Sequence, residues 1–234
     1  MRSDGRQKDE LRNIKLEVGI LRNAKGSAYI EWGMNKILVG VYGPEEAPPA
    51  IENLERAIIK VEYRMATFCS LEEHGKYVPN RRAVEISKVL REALSNLILV
   101  DRYPGGLIEV QILVLQAEGG TRVASFVAAV AALIDAGIAL RDIGYGISAG
   151  KVNNEIVLDL SKEEDNLGQG DIPICITRKG DILLLQLDGK ISYEELQSAI
   201  EMVRSKREFF ENLIRDAFTR RYSKELSNDL VRHI

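Results

Sequence analysis

Three groups of residues in this 234-residue sequence could carry chemistry, and the first is a double glycine followed by an arginine. Glu118, Gly119, Gly120, Thr121 and Arg122 lie between an apolar segment and an Ala-rich segment. Glycines let the backbone approach a ligand closely, and the first turn of a helix attracts anions. Arg122 adds a cation where the helix dipole disfavours one, and a bound phosphate or phosphodiester resolves that conflict. The alternative is a tight strand-to-helix turn capped by Thr121.

The second group is a pair of arginines, Arg81 and Arg82, which open another predicted helix behind Pro79 and Asn80. Both cations again stand at the helix end that disfavours positive charge. Paired guanidinium groups can hold phosphate oxygens in a bidentate manner, so the pair is a second candidate phosphate clamp. The alternative is a solvated pair of surface cations that binds nothing specific.

The third group is a pair of aspartates, Asp165 and Asp171, separated by a segment that contains Gly168 and Gly170. The glycines predict a flexible loop that brings both carboxylates together. Converging carboxylates bind a hard divalent cation, or raise each other's pKa so that one can act as a general acid. An acidic solvent-exposed loop is the alternative, but Asp171 begins an apolar strand, which favours a site.

The composition excludes several other chemistries. The chain has 32 basic and 35 acidic residues, a net charge of −3, two histidines and two cysteines. His74 and His233 cannot supply a three-histidine zinc site, and Cys69 and Cys175 are typical of buried thiols in a reducing compartment. The charged N-terminus lacks the apolar core of a signal peptide, so we expect a cytoplasmic protein. Arginines and aspartates without histidine indicate displacement at phosphorus, where positioning and charge neutralisation dominate.

The elements that position these groups follow from the apolar patterning, which predicts an α/β fold with mixed sheets. The first part reads as a meander of four strands, at 14–20, 27–32, 36–43 and 57–63, followed by a loop that begins at Gly43-Pro44. A helix over 80–98 with Asn80 as N-cap follows. A strand at 107–115, a buried helix at 121–136 and a strand at 144–151 predict a βαβ crossover. The remaining elements are strands at 155–160, 172–177 and 181–187 and a long C-terminal helix from Ser192.

The chain shows no linker or repeat, and the prediction is one domain over 1–219 with a polar tail over 220–234. The segment Val123–Leu140 is long enough to raise the question of a membrane span. Asp135 and Gly137 argue against a span, so we predict a buried helix and no membrane association.

Six motifs in order resemble the RNase PH family, most closely the catalytic RNase PH-like subunit of the archaeal exosome. They cover almost the whole chain: RSDGR (2–6), GSAYIEWGMNK (26–36), RRAVEISKVLREAL (81–94), LQAEGGTR (115–122), EEDNLGQGD (163–171) and LQLDGKISYEEL (185–196).

The resemblance implies a domain similar to the second domain of ribosomal protein S5, with 3′-to-5′ phosphorolytic exoribonuclease activity. Inorganic phosphate is then a co-substrate that releases nucleoside diphosphates, and the reverse 3′ tailing reaction is possible. Gly120, Thr121 and Arg122 match the family's phosphate-binding triplet, and Arg82 matches its phosphate-contacting arginine. Arg81 and Arg82 would then also contact RNA.

The same resemblance implies that Asp165 is the catalytic aspartate, a general acid, and that Asp171 is its metal-associated companion, the two holding Mg²⁺ or Mn²⁺. The implied partners are single-stranded RNA, a related non-catalytic subunit in a ring of three heterodimers, and cap subunits with S1 or KH domains. The alternatives are a bacterial-type RNase PH that processes tRNA 3′ ends, a non-catalytic RNA-binding ring scaffold, and a hydrolytic Mg²⁺ nuclease.

The chain departs from the family pattern in two places. Archaeal relatives usually carry a basic His-Pro-Arg segment after the Tyr-Gly-Pro turn, whereas residues 45–49 here read EEAPP. The Trp and Glu that are usual between the two aspartates are Leu167 and Gln169. The first change alters the expected RNA path, and the second leaves both carboxylates in place.

Overall fold

The computed structural model describes residues 2, 4–70 and 81–232. Two five-stranded sheets enclose a central helix, as the α/β prediction expects. The first sheet contains β1 (Ile14–Val18), β2 (Gly26–Trp32), β3 (Asn35–Glu46), β4 (Ile58–Met65) and β5 (Gly106–Gln116), in the order β1-β2-β3-β5-β4. The second contains β6 (Gly144–Val152), β7 (Glu155–Leu158), β8 (Gly170–Thr177), β9 (Ile182–Leu185) and β10 (Asp188–Gly189). Its order is β10-β8-β6-β7, and β9 also pairs with β8.

Five α-helices and one 3₁₀ turn (Val100–Arg102) complete the described chain. The α-helices are α1 (Arg81–Leu97), α2 (Thr121–Asp135), α3 (Lys162–Leu167), α4 (Tyr193–Ser205) and α5 (Arg207–Arg232). The predicted C-terminal helix is therefore present, but it is interrupted at Lys206, where the backbone leaves helical geometry. Helix α5 also continues through the predicted boundary at residue 219. Arg220 donates to the Leu16 carbonyl at 3.0 Å, and Arg221 pairs with the buried Asp135, so the first residues of the predicted tail are anchored.

The βαβ crossover lies at a different place from the predicted one. Strands β4 and β5 are parallel neighbours, and α1 lies between them in the chain. The sequence analysis placed the crossover over 107–151, but β5 and β6 belong to different sheets. Periodicity identified β5, α2 and β6 but could not say which sheet each strand joins, because pairing partners are a tertiary property.

Strand β3 is longer than predicted. It continues past Gly43 and Pro44 to Glu46, with a register shift against β5 between Tyr42 and Glu45. The loop predicted to begin at Gly43-Pro44 is therefore part of the sheet, because the irregularity absorbs the proline without ending the pairing. The predicted N-cap, Asn80, lies outside the described residues.

Helix α2 forms the centre of the molecule. Nearly all of its side chains are buried, and it contacts both β2 and β3 of the first sheet and β6 of the second. Its alanines keep the helix thin enough to lie between two sheets. At its C-terminal end the backbone comes so close to Gly26 that a Cβ there would stand 2.1 Å from the Ala136 nitrogen. The helix is thus rigidly held, and its N-terminus has a fixed position.

Among the described residues, no helix combines the length and the apolar character that a membrane span requires. The segment Val123–Leu140 includes all of α2 except its first two residues, and that helix is buried between the sheets.

Candidate active site

The double-glycine segment forms a tight loop between β5 and α2. Gly119 and Gly120 both have left-handed backbone angles, with φ of 72° and 71°. A Cβ at Gly119 would stand 2.8 Å from the backbone nitrogen of Lys162, so only glycine allows the loop to pack against the start of α3. The predicted close backbone approach is present, and it brings this loop beside the segment that carries Asp165.

Helix α2 begins without a side-chain cap. Its N-cap is Gly120, and no described side chain makes a capping hydrogen bond there. The predicted alternative, a turn capped by Thr121, is therefore wrong: Thr121 is the first helical residue, and its hydroxyl accepts a hydrogen bond from the Tyr63 hydroxyl at 3.0 Å. An uncapped helix start leaves first-turn N–H groups for an anion.

Two buried polar side chains hold the loop in shape. The Asn35 amide donates to the Gly119 carbonyl and accepts from the Glu118 N–H, both at 2.6 Å. Arg12 donates to the Glu118 carbonyl at 2.6 Å and to the Gly119 carbonyl at 3.2 Å. Because both loop carbonyls already accept hydrogen bonds from within the protein, the loop is preorganised before any ligand arrives.

One small cleft gathers the residues predicted for phosphate binding and for catalysis. Its lining contains Arg82, Gly120, Thr121, Arg122, Asp165 and Asp171, together with Ile86, Val123, Ser148 and Pro173. Arg81, which was predicted to contact RNA beside Arg82, is exposed and is not among the lining residues. Three segments far apart in sequence therefore converge on one place, and Arg81 stands outside it.

Arg122 enters the cleft from the first turn of α2. Its Nη1 donates to the Gln186 side chain and its Nη2 to Glu85 at 3.4 Å. Among the described residues, its Nε is a buried donor without a hydrogen-bond partner. Leaving such a donor unpaired is costly, and a ligand oxygen in the cleft would remove that cost. The guanidinium is thus held on one side by Gln186 and Glu85 and has a donor to spare for an oxyanion.

Asp165 is positioned by a helix and not by the flexible loop that the glycines predicted. It lies in α3, which Ser161 and Glu164 start with a capping box: each side chain bonds the other's backbone N–H. Such a cap stabilises a short helix whose first turn is acidic. Asp171 stands on β8, in register with Gly150 of β6. A helix and a central strand therefore fix the two carboxylates.

The two carboxylates differ in environment. Asp171 is half-buried and accepts a hydrogen bond from the Ser148 hydroxyl. Burial raises its pKa to about 6, with Asp165 adding to the rise and the Ser148 bond and Arg122 opposing it. Asp165 is open to solvent on one side, and its pKa is raised by partial burial against the opposing charges of Arg82 and Arg122. The cleft thus contains two arginine cations and two carboxyl groups whose pKa values are raised.

We expect Asp171→Asn to stabilise the full chain at neutral pH. Because the folded-state pKa is about 6 against an ordinary 3.8, the folded state binds the proton more tightly, and wild-type stability falls as pH rises from about 4 to about 6. The Asn variant escapes this fall and gains about 1–3 kcal/mol in unfolding free energy at pH 7. Urea unfolding with a chelator present, at pH 4.5 and pH 7, measures it. An equal difference at both pH values, or a loss at pH 7, contradicts the assignment.

The donor set fits a hard divalent cation only if the substrate completes it. No group of three His, Cys, Asp or Glu within the described ranges has the spacing to hold a metal. Two carboxylates nevertheless suit Mg²⁺, which commonly takes one or two protein carboxylates and fills its shell with water and substrate phosphate.

Several residues of the site carried no signal strong enough to be predicted. Asp188 on β10 stands opposite Asp171 in the antiparallel register and raises the pKa of both cleft aspartates. The one sequence signal for Asp188 was its position in the LQLDG segment (185–189), which is part of a motif shared with the family. Ser148 and Asn35 lie in unremarkable strand sequences, and Gln186 sits between β9 and β10. Single polar residues in such positions are common, so only the fold identifies them.

Comparison with known proteins agrees with this architecture. The chain matches "3′ exoribonuclease family, domain 1" over residues 10–139 and "3′ exoribonuclease family, domain 2" over residues 143–205, the RNase PH domains. It is 50% identical over 224 residues to the exosome complex component Rrp41 of Thermoplasma acidophilum, covering 95% of this chain and 90% of that protein. It is 53% identical over 203 residues to the component of the same name from Pyrococcus furiosus, covering 86% and 81%.

Two solved structures share the fold. Rice Rrp46 superposes with a TM-score of 0.82 at 25% sequence identity, covering 92% of this chain and 98% of that one. A chain from the structure of the Archaeoglobus fulgidus exosome with RNA bound to the active site superposes with a TM-score of 0.79 at 21% identity, covering 90% of this chain and 91% of that one. With both family domains matched and about half of the residues identical to those relatives over most of its length, the chain belongs to the RNase PH family of 3′ exoribonucleases.

Proposed function

We propose that this chain is the phosphorolytic catalytic subunit of an exosome ring, shortening single-stranded RNA from its 3′ end with inorganic phosphate as the attacking group. The observation that carries the proposal is the buried Nε of Arg122, which has no hydrogen-bond partner among the described residues. It lies beside a helix N-terminus that no described side chain caps, in the cleft that contains the carboxylate pair. A hydrolytic nuclease uses water as its nucleophile and needs no anion site for the attacking group. Two anion-binding elements in one cleft favour two phosphates, one attacking and one attacked.

The nucleophile is then phosphate and not a side chain. Of the described residues that line the cleft, none is a histidine or a cysteine. The charge of Arg122 lowers the pKa of the Cys175 thiol slightly, but complete burial raises that pKa by more and keeps the thiol protonated. The described cleft therefore offers neither a thiol nor an imidazole for covalent catalysis.

Each charged group of the cleft has a role in the proposed phosphorolysis. Arg122 and the first-turn N–H groups of α2 hold the attacking phosphate, and Arg82 neutralises the scissile phosphodiester. A phosphate oxygen forms a bond to the terminal phosphorus as the bond from phosphorus to the 3′ oxygen of the preceding nucleotide breaks. Asp165 in its protonated form gives its proton to that leaving oxygen. The products are a nucleoside 5′-diphosphate and an RNA one nucleotide shorter with a free 3′ hydroxyl.

Asp171 would also hold Mg²⁺ or Mn²⁺ together with a substrate phosphate, and Asp165 would join it as a ligand once it has given up its proton. Bound there, the ion supplies charge neutralisation at the phosphate oxygens. The Ser148 hydroxyl orients the Asp171 carboxylate toward the cleft. Because the free-energy change of phosphorolysis is small, the reaction can run in either direction. The same residues would then add nucleotides from nucleoside diphosphates when phosphate is scarce.

The proposed partners rest on the names of the relatives and on the family resemblance. The two archaeal relatives are named exosome complex components, and we extend that assembly to this chain: a ring of three heterodimers with a related non-catalytic subunit, capped by S1 or KH subunits. Bulk attraction for RNA then comes in part from those subunits, since this chain has a net charge of −3. The two free buried cysteines support a reducing, cytoplasmic setting.

The proposal is tested by product analysis on a single-stranded RNA. With the ring partner, Mg²⁺ and phosphate, we expect nucleoside diphosphates, and we expect release to stop when phosphate is omitted. Nucleoside monophosphates released without phosphate would instead identify a hydrolytic nuclease. Absence of any release by the assembled ring would identify a scaffold.

A further inference from the structure

The RSDGR motif near the start of the chain has no part in the cleft, yet it is bound to the elements that build it. A turn forms where the Gly5 N–H bonds the Arg2 carbonyl at 3.1 Å, with Gly5 in a left-handed conformation at φ 79°. The turn sends Arg2 and Arg6 in the same direction, toward α3 and the segment before it. Neither arginine lines the cleft.

Arg2 makes a buried, bidentate ion pair with Glu164. Its Nε and Nη2 donate to the two carboxylate oxygens at 2.8 and 2.7 Å, and the two side chains are only 5% and 3% exposed. Its remaining donors reach the carbonyls of Leu158 and Asp159, both at 2.9 Å. Burial alone would raise the pKa of Glu164, but the bonds from Arg2 and Ser161 bring it below its ordinary value, so the pair is ionic.

Glu164 is the residue immediately before Asp165 and belongs to the cap that starts α3. Its Oε2 accepts from the Ser161 N–H at 3.0 Å while the Ser161 hydroxyl accepts from the Glu164 N–H. A helix of six residues has little stability of its own, so its position depends on this contact. Whatever holds Glu164 therefore determines where Asp165 stands.

A second bridge links the same region to the phosphate loop. The buried Asp159 has a left-handed backbone at φ 58°, which is uncommon for residues other than glycine. Its carboxylate accepts from Arg12 at 2.7 Å through both the backbone N–H and Nη2, and from Arg6 at 3.2 Å. Arg12 in turn donates to the Glu118 and Gly119 carbonyls. One arginine thus joins the approach to α3 directly to the double-glycine loop.

We propose that residues 2–12 act as a clasp that sets the spacing between the carboxylate helix and the phosphate loop, with Arg2 as the positioning residue for Asp165 and Arg12 as the positioning residue for the loop. The kinetic consequence rests on the phosphorolytic function proposed above. The two arginines then affect different parameters: Arg2 governs kcat through Asp165, and Arg12 governs the KM for phosphate through the loop.

The test compares Arg2→Met, Arg12→Met and the control Lys8→Met in the full chain assembled with its ring partner. Lys8 is exposed in the same segment. We expect Arg2→Met to lower kcat about 10- to 100-fold with the phosphate KM within about 2-fold, because a displacement of about 1 Å has such an effect. Arg12→Met should raise the phosphate KM about 10-fold, Lys8→Met should match wild type, and Arg2→Lys should recover part of kcat. Unchanged kcat in Arg2→Met, or equal changes in both parameters for both variants, overturns the proposal.

Backbone hydrogen exchange provides a second test of the clasp, and this test does not depend on catalysis. In Arg2→Met we expect faster exchange over residues 161–168 and unchanged exchange over 121–124. Should wild type release no diphosphates, the proposed function fails while this measurement still decides on the clasp; unchanged exchange over 161–168 rejects it. Removing Arg2 alone leaves an unpaired buried charge on Glu164, so the double variant Arg2→Met with Glu164→Gln is made in parallel. If the single variant fails to fold, the double variant should show the loss in kcat of about 10- to 100-fold that is expected above.

Discussion

Asp165→Asn in the assembled ring is expected to lose about 1,000-fold or more in the rate of phosphate-dependent RNA shortening. Asparagine keeps the shape of the side chain but can neither give the leaving 3′ oxygen a proton nor carry the negative charge that a divalent cation needs. Because Arg82 and Arg122 remain in place, RNA should still bind with an affinity close to that of wild type. Single-turnover kinetics and fluorescence anisotropy measure the two quantities separately.

Glu163→Gln is the matched control for that variant. Glu163 is an exposed carboxylate of the same helix, two positions before Asp165, and it is not among the residues that line the cleft. We expect activity within about 2-fold of wild type. If Asp165→Asn retained a tenth or more of wild-type activity, or if the control lost as much as the variant, Asp165 would have no special role in the chemistry.

Arg122→Ala is expected to lower kcat/KM for phosphate about 100- to 1,000-fold, the usual effect of removing a preorganised donor from a charged transition state. Arg122→Lys should restore little, because an ammonium cannot contact Gln186 and an oxyanion with the fixed geometry of a guanidinium. Initial rates over a range of phosphate concentrations give kcat and KM for each variant.

Arg91→Ala is the control, since Arg91 is an exposed arginine of α1 outside the cleft lining. It should keep the wild-type phosphate dependence. RNA affinity without phosphate should change little in Arg122→Ala. A variant whose phosphate saturation is unchanged while RNA affinity falls would move Arg122 from the attacking phosphate to the RNA backbone.

The main elements of the site could be predicted from sequence because backbone geometry leaves local traces. A double glycine between a strand and an Ala-rich helix requires positive φ angles, and both Gly119 and Gly120 have them. The arginines stand out because they occupy the helix end that disfavours cations. Their convergence with the aspartates was predicted from the family resemblance, and the cleft contains all of them except Arg81.

The supporting contacts could not be predicted because they join residues that share no local pattern. Asn35 and Gly119 are 84 positions apart, and Arg2 and Glu164 are 162 positions apart. Patterning also misjudged how Asp165 is held: Gly168 and Gly170 suggested a flexible loop, whereas the Ser161 cap forms a helix that only its partners make stable. The misplaced crossover has the same origin, since strand pairing depends on contacts across the fold.

The central claim is that phosphate is the nucleophile, and isotopic labelling tests it most directly. The assembled ring is incubated with unlabelled single-stranded RNA, Mg²⁺ and ³²P-labelled inorganic phosphate, and the released nucleotides are separated. We predict nucleoside diphosphates that carry the label in their β-phosphate, with one labelled phosphate per nucleotide released, and a rate of labelling that is about 100- to 1,000-fold lower in Arg122→Ala. Unlabelled monophosphates, or nucleotide release at the same rate without phosphate, would contradict the account.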